Sequence, residues 1–173
     1  MTLDEINALD GVAFTAALGH LFEHSPWVAD ETWPGRPFRD AAHLHGALCA
    51  TMRGAARERQ LALVRAHPDL AGRLARQRQL TAESTREQAS AGLNRLGDEE
   101  LQAFQEKNDA YRARFGFPFI ICARLNAKAA ILAAMESRLE NPPEAEFAAA
   151  LGEIEKIARL RLDDLLAPRA VPA

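Results

Sequence analysis

The sequence predicts an all-α fold. Alanine, leucine, arginine and glutamate dominate its 173 residues, and all four favour helices. The period-two alternation of β-branched residues that marks strands is almost absent. A chain of this length can bury a sizeable core without disulfides or metals. We therefore expect a single domain over residues 1–167, a compact bundle of about eight helices, with a disordered tail at residues 168–173.

The helices are placed by their capping residues and apolar spacing. Thr2 and Glu5 form a capping-box pattern, so the first helix is predicted to start at Thr2. A second helix is predicted over residues 11–22, and the Trp- and Pro-rich segment 25–37 is predicted to be a loop. Further helical patterns cover residues 38–54, 56–66, 70–78, 84–96, 98–114, 126–140 and 144–166.

One short segment departs from the helical pattern. Residues 114–124, "RFGFPFIICAR", are the only continuous aromatic and β-branched run, and Gly116 and Pro118 interrupt it. Because this segment is too short to form a sheet by itself, it is predicted to be an extended or irregular wall packed into the bundle.

The composition limits the classes of partner. The chain has 21 basic and 24 acidic residues, a formal charge of −3 and no long basic run, so we expect it to bind neither nucleic acid nor membranes. Cys49 and Cys122 lie far apart in apolar surroundings, which favours reduced thiols in a cytoplasmic protein. The acidic N-terminus lacks the features of a secretory signal.

The stretch "RAHPDLAG" puts a titratable ring where a helix stops. His67 follows Leu63 and Val64 by four and three residues, so its side chain is predicted on the apolar side of the helix end, ahead of Pro68. An imidazole there suits a general acid, because histidine titrates near neutral pH. Asp69 also has a purely structural explanation, as N-cap of the helix predicted at 70–78.

A second polar pattern is Ser84-x-x-Glu87. It is typical of a capping box that starts a helix. Alternatively, Ser84, Glu87 and Gln88 gather at a helix N-terminus, where backbone N–H groups favour a polar or anionic ligand. The sequence leaves both interpretations open.

Arg161 interrupts an apolar stripe of the last predicted helix. The stripe consists of Phe147, Leu151, Ile154, Ala158 and Leu165. A guanidinium is costly to bury without a partner, so Arg161 is expected to meet a carboxylate such as Glu87 or Asp69, a ligand anion, or water at the edge. Asn108 interrupts another stripe and is expected to hydrogen-bond residues that surround a ligand.

The H-x-x-E-H pattern of His20, Glu23 and His24 is found in one class of zinc peptidases. Such a site also needs a third protein ligand, and Ser25-Pro26 ends the predicted helix at once. Two polar histidines at a fraying helix end explain the pattern better, so no metal is expected.

Four motifs, "HPDLAG", "LTAESTREQASAGL", "FGFPFIICAR" and "EIEKIARLRLDDLL", closely resemble the OHCU decarboxylase family. They occur in the family's order and span most of the chain. The resemblance implies an all-α, cofactor-free homodimer that converts 2-oxo-4-hydroxy-4-carboxy-5-ureidoimidazoline (OHCU) to (S)-allantoin and CO2 in urate breakdown. The peroxisomal tripeptide of some relatives is missing, which favours a cytoplasmic, bacterial setting.

The resemblance also implies roles for individual residues. It implies a catalytic histidine at His67, a catalytic glutamate at Glu87 and a substrate-binding arginine at Arg161. Further ligand contacts are implied at Pro68, Ser84, Thr85 and Gln88, and a pocket wall with backbone donors at Phe117, Phe119, Ile120, Ile121, Cys122 and Ala123. A non-catalytic helical module that binds a ureide or a protein partner is the alternative.

Overall fold

The computed structural model describes residues 1–72 and 80–167. These residues form nine α-helices and no strand, so the all-α prediction is confirmed. The helices are α1 (Leu3–Ala8), α2 (Gly11–Leu18), α3 (Trp27–Thr32), α4 (Ala41–Gly54), α5 (Arg57–Ala66), α6 (Ala82–Ser90), α7 (Asp98–Phe115), α8 (Lys128–Leu139) and α9 (Pro143–Leu166). Short 3-10 turns cover Gly19–Leu21, Trp33–Gly35 and Ala123–Leu125. Of the helix predicted at 70–78, residues 73–78 lie outside the described part, and so does the predicted tail at 168–173.

The chain divides into two compact units. The first comprises Met1–Leu63 and the chain from Glu155 onward, and the second comprises Val64–Ile154. The divisions fall within α5 and within α9. The one-domain organisation over residues 1–167 stays a prediction. Among the helices of the described residues, none has the combined length and hydrophobicity that a membrane span requires.

Local capping explains where the helices of the first unit begin. The capping box of Thr2 and Glu5 is confirmed, because each side chain accepts a hydrogen bond from the other residue's N–H. Asp10 caps α2 by accepting from the Ala13 N–H at 2.8 Å. Asp40 caps α4 in the same way, at 2.7 Å from the His43 nitrogen. Helices α2, α3 and α4 pack in succession against one another.

The prediction of a loop at residues 25–37 is wrong, because the segment contains α3 and a 3-10 turn. Pro26 and Pro34 stand at the starts of these two elements, where a missing N–H costs nothing. Val28, Ala29 and Thr32 bury one face of α3, so tertiary packing stabilises a helix that local composition disfavours.

Both tryptophans of the chain belong to this unit and are covered by arginines. The Arg59 guanidinium lies 3.9 Å from the ring centroid of Trp27, and that of Arg36 lies 3.7 Å from Trp33. The indole N–H of Trp33 donates to the Leu9 carbonyl at 3.1 Å. Each indole is thereby fixed by a cation on its face.

The second unit is built around the apolar wall. Helix α7 ends at Gly116, whose φ of +74° is the left-handed conformation that glycine adopts most readily. Residues 118–122 are neither helix nor strand, and every residue from 117 to 123 is buried, which confirms the predicted irregular wall. Aromatic contacts join the wall to its neighbours, with the rings of Tyr111 and Phe119 edge to face at 5.2 Å.

Candidate active site

His67 lies one residue beyond the end of α5, inside the second unit. Its side chain is only 7% exposed, so its predicted place on the apolar side of the helix end is confirmed. The His67 N–H still donates to the Val64 carbonyl at 3.3 Å, and Pro68 then stops the helix. The imidazole is therefore held in a largely dry environment, on a backbone that cannot continue as a helix.

Helix α7 holds the loop that follows His67. The Arg112 side chain donates to both carboxylate oxygens of Asp69, at 2.8 and 3.1 Å. Asn108 is buried and donates from Nδ2 to the Leu70 carbonyl at 2.9 Å. Asp69 was expected to cap a helix at 70–78, but residues 70 and 71 form a turn and its carboxylate pairs with Arg112.

Helix α6 holds the same loop from another direction. Gln88 is buried, and its Oε1 accepts from the Ala71 N–H at 3.0 Å. Ala71 has φ of +52°, a left-handed conformation that is strained for any residue with a Cβ. Gln88 thus satisfies a buried donor at the strained position of the loop, and this ties the helix of Glu87 to the segment that begins at His67.

The start of α6 corrects the predicted capping box. Thr81 is the N-cap, and its hydroxyl accepts from the Ser84 N–H at 3.2 Å, so the helix begins at Ala82 and not after Ser84. It ends at Ser90 instead of continuing to residue 96, because Gly92 turns the chain with φ of +77°. Ser84 is buried within the first turn of α6. As an N-cap, it would instead have stood just outside the helix.

The remaining predicted residues of α6 differ in exposure. Glu87 is half-buried, whereas Thr85 is exposed and its hydroxyl donates to the Thr81 carbonyl at 2.9 Å. Helix α6 packs against the 3-10 turn Ala123–Leu125 at the end of the wall. Burial raises the pKa of the Cys122 thiol, and the nearby carboxylates of Glu153 and Glu87 raise it further. Glu87 therefore lies close enough to the wall to act electrostatically on it.

A polar network that the sequence did not reveal lies behind the wall. Glu146 is fully buried and accepts hydrogen bonds from the Tyr111 hydroxyl, from Arg138 Nε at 2.9 Å and from Asn141 Nδ2 at 2.8 Å. Burial raises the pKa of Tyr111, and its hydrogen bond to Glu146 raises it further, so the hydroxyl stays protonated and donates. Arg138 also donates from Nη1 to the Ile120 carbonyl at 2.8 Å.

Arg161 belongs to the first unit, where it forms a buried ion pair. Its Nη2 lies 3.0 Å from Glu23 Oε2, and its Nη1 donates to the His20 carbonyl at 3.1 Å. The expectation that a carboxylate meets Arg161 is confirmed by the ion pair with Glu23, which the sequence had not suggested as the partner. In the sequence, only the H-x-x-E-H pattern had marked Glu23 as a residue of interest.

The backbone around that pattern does not present two histidines on one helical turn. His20 lies in the 3-10 turn Gly19–Leu21, and His24 has a left-handed φ of +46°. Within residues 1–72 and 80–167, no three His, Cys, Asp or Glu side chains are grouped as metal ligands. The expectation of a metal-free protein stays a prediction.

Comparison with known proteins identifies the family. The family model described as OHCU decarboxylase matches residues 7–163. The 2-oxo-4-hydroxy-4-carboxy-5-ureidoimidazoline decarboxylase of Halalkalicoccus jeotgali is 43% identical over 169 residues, 98% of this chain and 94% of that protein. Its namesake from Haloferax volcanii is also 43% identical, over 94% of both chains.

A solved structure of (S)-allantoin synthase superposes with a TM-score of 0.75 at 30% identity and covers 96% of this chain. This chain spans only 54% of that longer protein, so the match is to one part of it. The family model and the two full-length relatives decide the assignment. The chain belongs to the OHCU decarboxylase family.

Proposed function

We propose that the protein decarboxylates OHCU to (S)-allantoin and CO2, the last step of the conversion of urate to allantoin. Family membership and the full-length relatives support this reaction. One structural observation supports assigning the reaction to His67 and Glu87. The loop of His67 and the helix of Glu87 are joined through the buried hydrogen bond between Gln88 and Ala71, so an acid and a carboxylate are fixed on connected elements.

The substrate supplies its own electron sink, so the reaction needs no cofactor. The carboxylate sits on a ring carbon next to a C=N bond. When the bond to CO2 breaks, its electron pair forms a C=C bond and the C=N pair moves to nitrogen, which takes up a proton. The enol then loses its O–H proton to become the carbonyl, and a proton adds to the carbon that bears the ureido group. One proton is consumed overall.

In this mechanism His67 is the general acid that protonates the nitrogen or the new carbon centre. A positioned acid contributes roughly 10²–10⁴-fold to a rate. Glu87 holds the 4-hydroxyl or the ureido group and polarises the O–H as the carbonyl forms. Its half-buried position suits that role, because a carboxylate in a partly dry site acts more strongly than one in water.

The other residues implied by the family resemblance orient the ligand. Ser84 is buried and offers a hydroxyl, and Pro68 limits the conformation of the chain beside the imidazole. Gln88 is proposed to contact the ligand through the second N–H of Nε2, because its Oε1 accepts from the Ala71 N–H and Nε2 also donates to the Asp69 carbonyl at 3.5 Å. Thr85 is proposed to contact the ligand through its exposed hydroxyl oxygen, which can accept a hydrogen bond, because both its N–H and its O–H donate to the Thr81 carbonyl at 2.9 Å.

Arg161 is proposed to bind a substrate atom that gains or keeps negative charge. A grip on the departing carboxylate would stabilise the ground state more than the transition state, and it would not raise kcat. The Glu23 carboxylate neutralises part of the guanidinium charge and fixes its plane. That arrangement suits an arginine that orients a polar ligand atom more than one that traps a strong anion.

The residues 117–123 are proposed as the apolar wall of the pocket. Their burial excludes water, which strengthens the few polar contacts to the ligand. We also propose that the protein is a homodimer and acts in the cytoplasm. The two free thiols, Cys49 and Cys122, support a reducing compartment. Sedimentation equilibrium tests the dimer.

Circular dichroism during urate oxidation tests the reaction. Urate oxidase and hydroxyisourate hydrolase generate OHCU, and wild-type protein is expected to accelerate the growth of the (S)-allantoin signal. Handedness is the right readout, because OHCU decays without an enzyme to racemic allantoin. His67→Asn is expected to abolish the acceleration.

The matched control is His24→Asn. His24 is exposed and has a positive φ, which asparagine tolerates, so this variant is expected to keep wild-type activity. An inactive wild type that still binds (S)-allantoin would favour the non-catalytic binding module. A His67→Asn protein that turns over near the wild-type rate would remove the general-acid role.

A further inference from the structure

The guanidinium of Arg138 anchors the wall of residues 117–123 at Ile120. Arg138 Nη1 donates to the Ile120 carbonyl, and its Nε and Nη2 donate to Glu146 Oε1 at 2.9 and 2.5 Å. The same guanidinium lies 4.5 Å from the ring centroid of Phe119. Arg138 thus contacts the wall through a backbone carbonyl and an aromatic face, while the buried carboxylate behind it fixes its direction.

A buried ion pair of this kind needs an explanation other than stability. Removing two charges from water costs free energy that their attraction offsets only in part, and apolar residues of similar volume often stabilise a core equally well. What the planar guanidinium adds is geometry, because its donors point in fixed directions. In the second unit, the donors of Arg138 connect the Glu146 carboxylate to the carbonyl of the peptide group between Ile120 and Ile121.

That peptide group also has an N–H. The bond between Ile120 and Ile121 is trans, since the one cis bond among the described residues is Arg36–Pro37. In a trans peptide the C=O and the N–H point in opposite directions. Arg138 on the Ile120 carbonyl therefore directs the Ile121 N–H to the other side of the wall.

The Ile121 N–H has no hydrogen-bond partner within the described part of the chain. Ile121 is only 8% exposed, and a buried N–H without a partner is costly and rare. The next N–H, that of Cys122, is already engaged, because it donates to Glu153 Oε2 at 2.8 Å. Ile121 therefore carries a donor of fixed direction that an external acceptor can satisfy.

This donor lies next to the candidate site in the chain. Cys122, the following residue, is close enough to Glu87 for that carboxylate to raise the pKa of its thiol. The turn that ends the wall packs against the helix of Glu87. A ligand bound beside Glu87 would thus place an acceptor atom near the Ile121 N–H.

We propose that Arg138, oriented by Glu146, is a positioning residue that aims the Ile121 N–H at an oxygen of the ureide ligand. Arg138 does not touch the substrate in this arrangement, and it acts through the peptide group it holds. The inference rests on the proposed function. Loss of the guanidinium lets the peptide rotate and misplaces the donor, and a misplacement of this kind costs up to about 100-fold in rate.

The test compares two variants of the same network. Arg138→Met combined with Glu146→Gln removes the hydrogen bond to Ile120 without leaving an unpaired buried charge. Tyr111→Phe removes a hydrogen bond to Glu146 and leaves Arg138 on the wall, so it is the matched structural control. Arg138→Met alone is the weaker choice, because an unpaired Glu146 can unfold the chain.

Two readouts are taken on folded protein, whose free energy of unfolding is measured in urea. The first is kcat/KM for (S)-allantoin formation, expected to fall about 10- to 100-fold in the double variant and less than threefold in Tyr111→Phe. The second is the amide resonance of Ile121 in ¹⁵N-labelled protein. Adding (S)-allantoin is expected to shift it in wild type and in Tyr111→Phe, but not in the double variant.

Equal kcat/KM and an equal Ile121 shift in the two variants would overturn the proposal, and so would a loss of stability without any loss of kcat/KM. Failure of the proposed function gives a different result, which is read from wild type alone. In that case wild type does not accelerate (S)-allantoin formation, and the positioning role falls with it.

Discussion

Glu23 and Arg161 form an ion pair with both side chains at most 4% exposed, although 138 residues separate them in the chain. Removal of one partner leaves an uncompensated buried charge, which costs about 3–5 kcal/mol. Glu23→Leu is therefore expected to lower the free energy of unfolding by that amount, and Arg161→Met to lower it similarly.

The double variant Glu23→Leu/Arg161→Met is expected to lose much less stability than the two single losses added together. Urea unfolding of the four proteins gives the coupling energy directly. Additive losses would show that the two side chains do not stabilise each other.

The loop of His67 provides a second prediction. The ion pair between Arg112 and Asp69 is partly exposed, so its loss is expected to cost less than about 1 kcal/mol of stability. It nevertheless fixes the second residue after His67, and Arg112→Met is expected to lower kcat/KM for (S)-allantoin formation about tenfold.

Arg159→Met is the control for that variant, since Arg159 forms a similarly exposed pair with Asp163 on α9. Both variants are expected to unfold at nearly the same urea concentration. Equal kcat/KM in the two would mean that the Arg112 pair does not position the loop.

Two glycines are expected to respond to alanine with opposite signs. Gly116 has φ of +74°, where a Cβ costs roughly 1–2 kcal/mol, so Gly116→Ala is expected to destabilise the protein by about that much. Gly152 lies within α9, and a Cβ there would meet nothing within 4 Å. Gly152→Ala is expected to stabilise it by about 0.5–1 kcal/mol. Chemical denaturation at one pH measures both, and a stabilising Gly116→Ala would contradict the left-handed cap.

The Cys49 thiol makes stability depend on alkaline pH. Burial and the nearby Glu155 carboxylate raise its pKa from 9.0 to about 12. The unfolded chain loses this proton near pH 9, so between pH 9 and 12 the folded state binds more protons and its free energy of unfolding falls as pH rises. The stabilisation is fully present below pH 9.

Cys49→Ala removes this group, so its free energy of unfolding is expected to fall less steeply than that of wild type above pH 9. Cys122 titrates in both proteins, and its contribution cancels in the comparison. Parallel curves would show that Cys49 titrates alike in the folded and unfolded chains.

Features that depend on near neighbours in the sequence were predictable. The capping box of Thr2 and Glu5 and the buried side of His67 follow from spacings of three and four residues, which a helix converts directly into contacts. The apolar wall was predictable from composition, because no other run is so continuously aromatic and β-branched. The burial of Arg161 followed from the stripe that it interrupts.

Features that depend on distant neighbours were not predictable. Glu23 as the partner of Arg161, and Glu146 as that of Arg138, are pairings that only folding brings about. Helix α3 was missed because its stability comes from the burial of Val28 and Ala29, whereas its prolines and tryptophans are typical of loops. The cap of α6 was misplaced because Thr81 and Ser84 are both good N-cap residues.

The placement of the aromatic side chains gives the two units separate optical signatures. The chain has two tryptophans and one tyrosine. Trp27 and Trp33 belong to the first unit, whereas Tyr111 belongs to the second. Indole fluorescence therefore reports the unfolding of one unit, and the tyrosine band of the second-derivative absorbance spectrum, which is resolved from the indole bands, reports that of the other. Coincident transitions would mean that the chain unfolds cooperatively as one domain, and no added label is needed to find out.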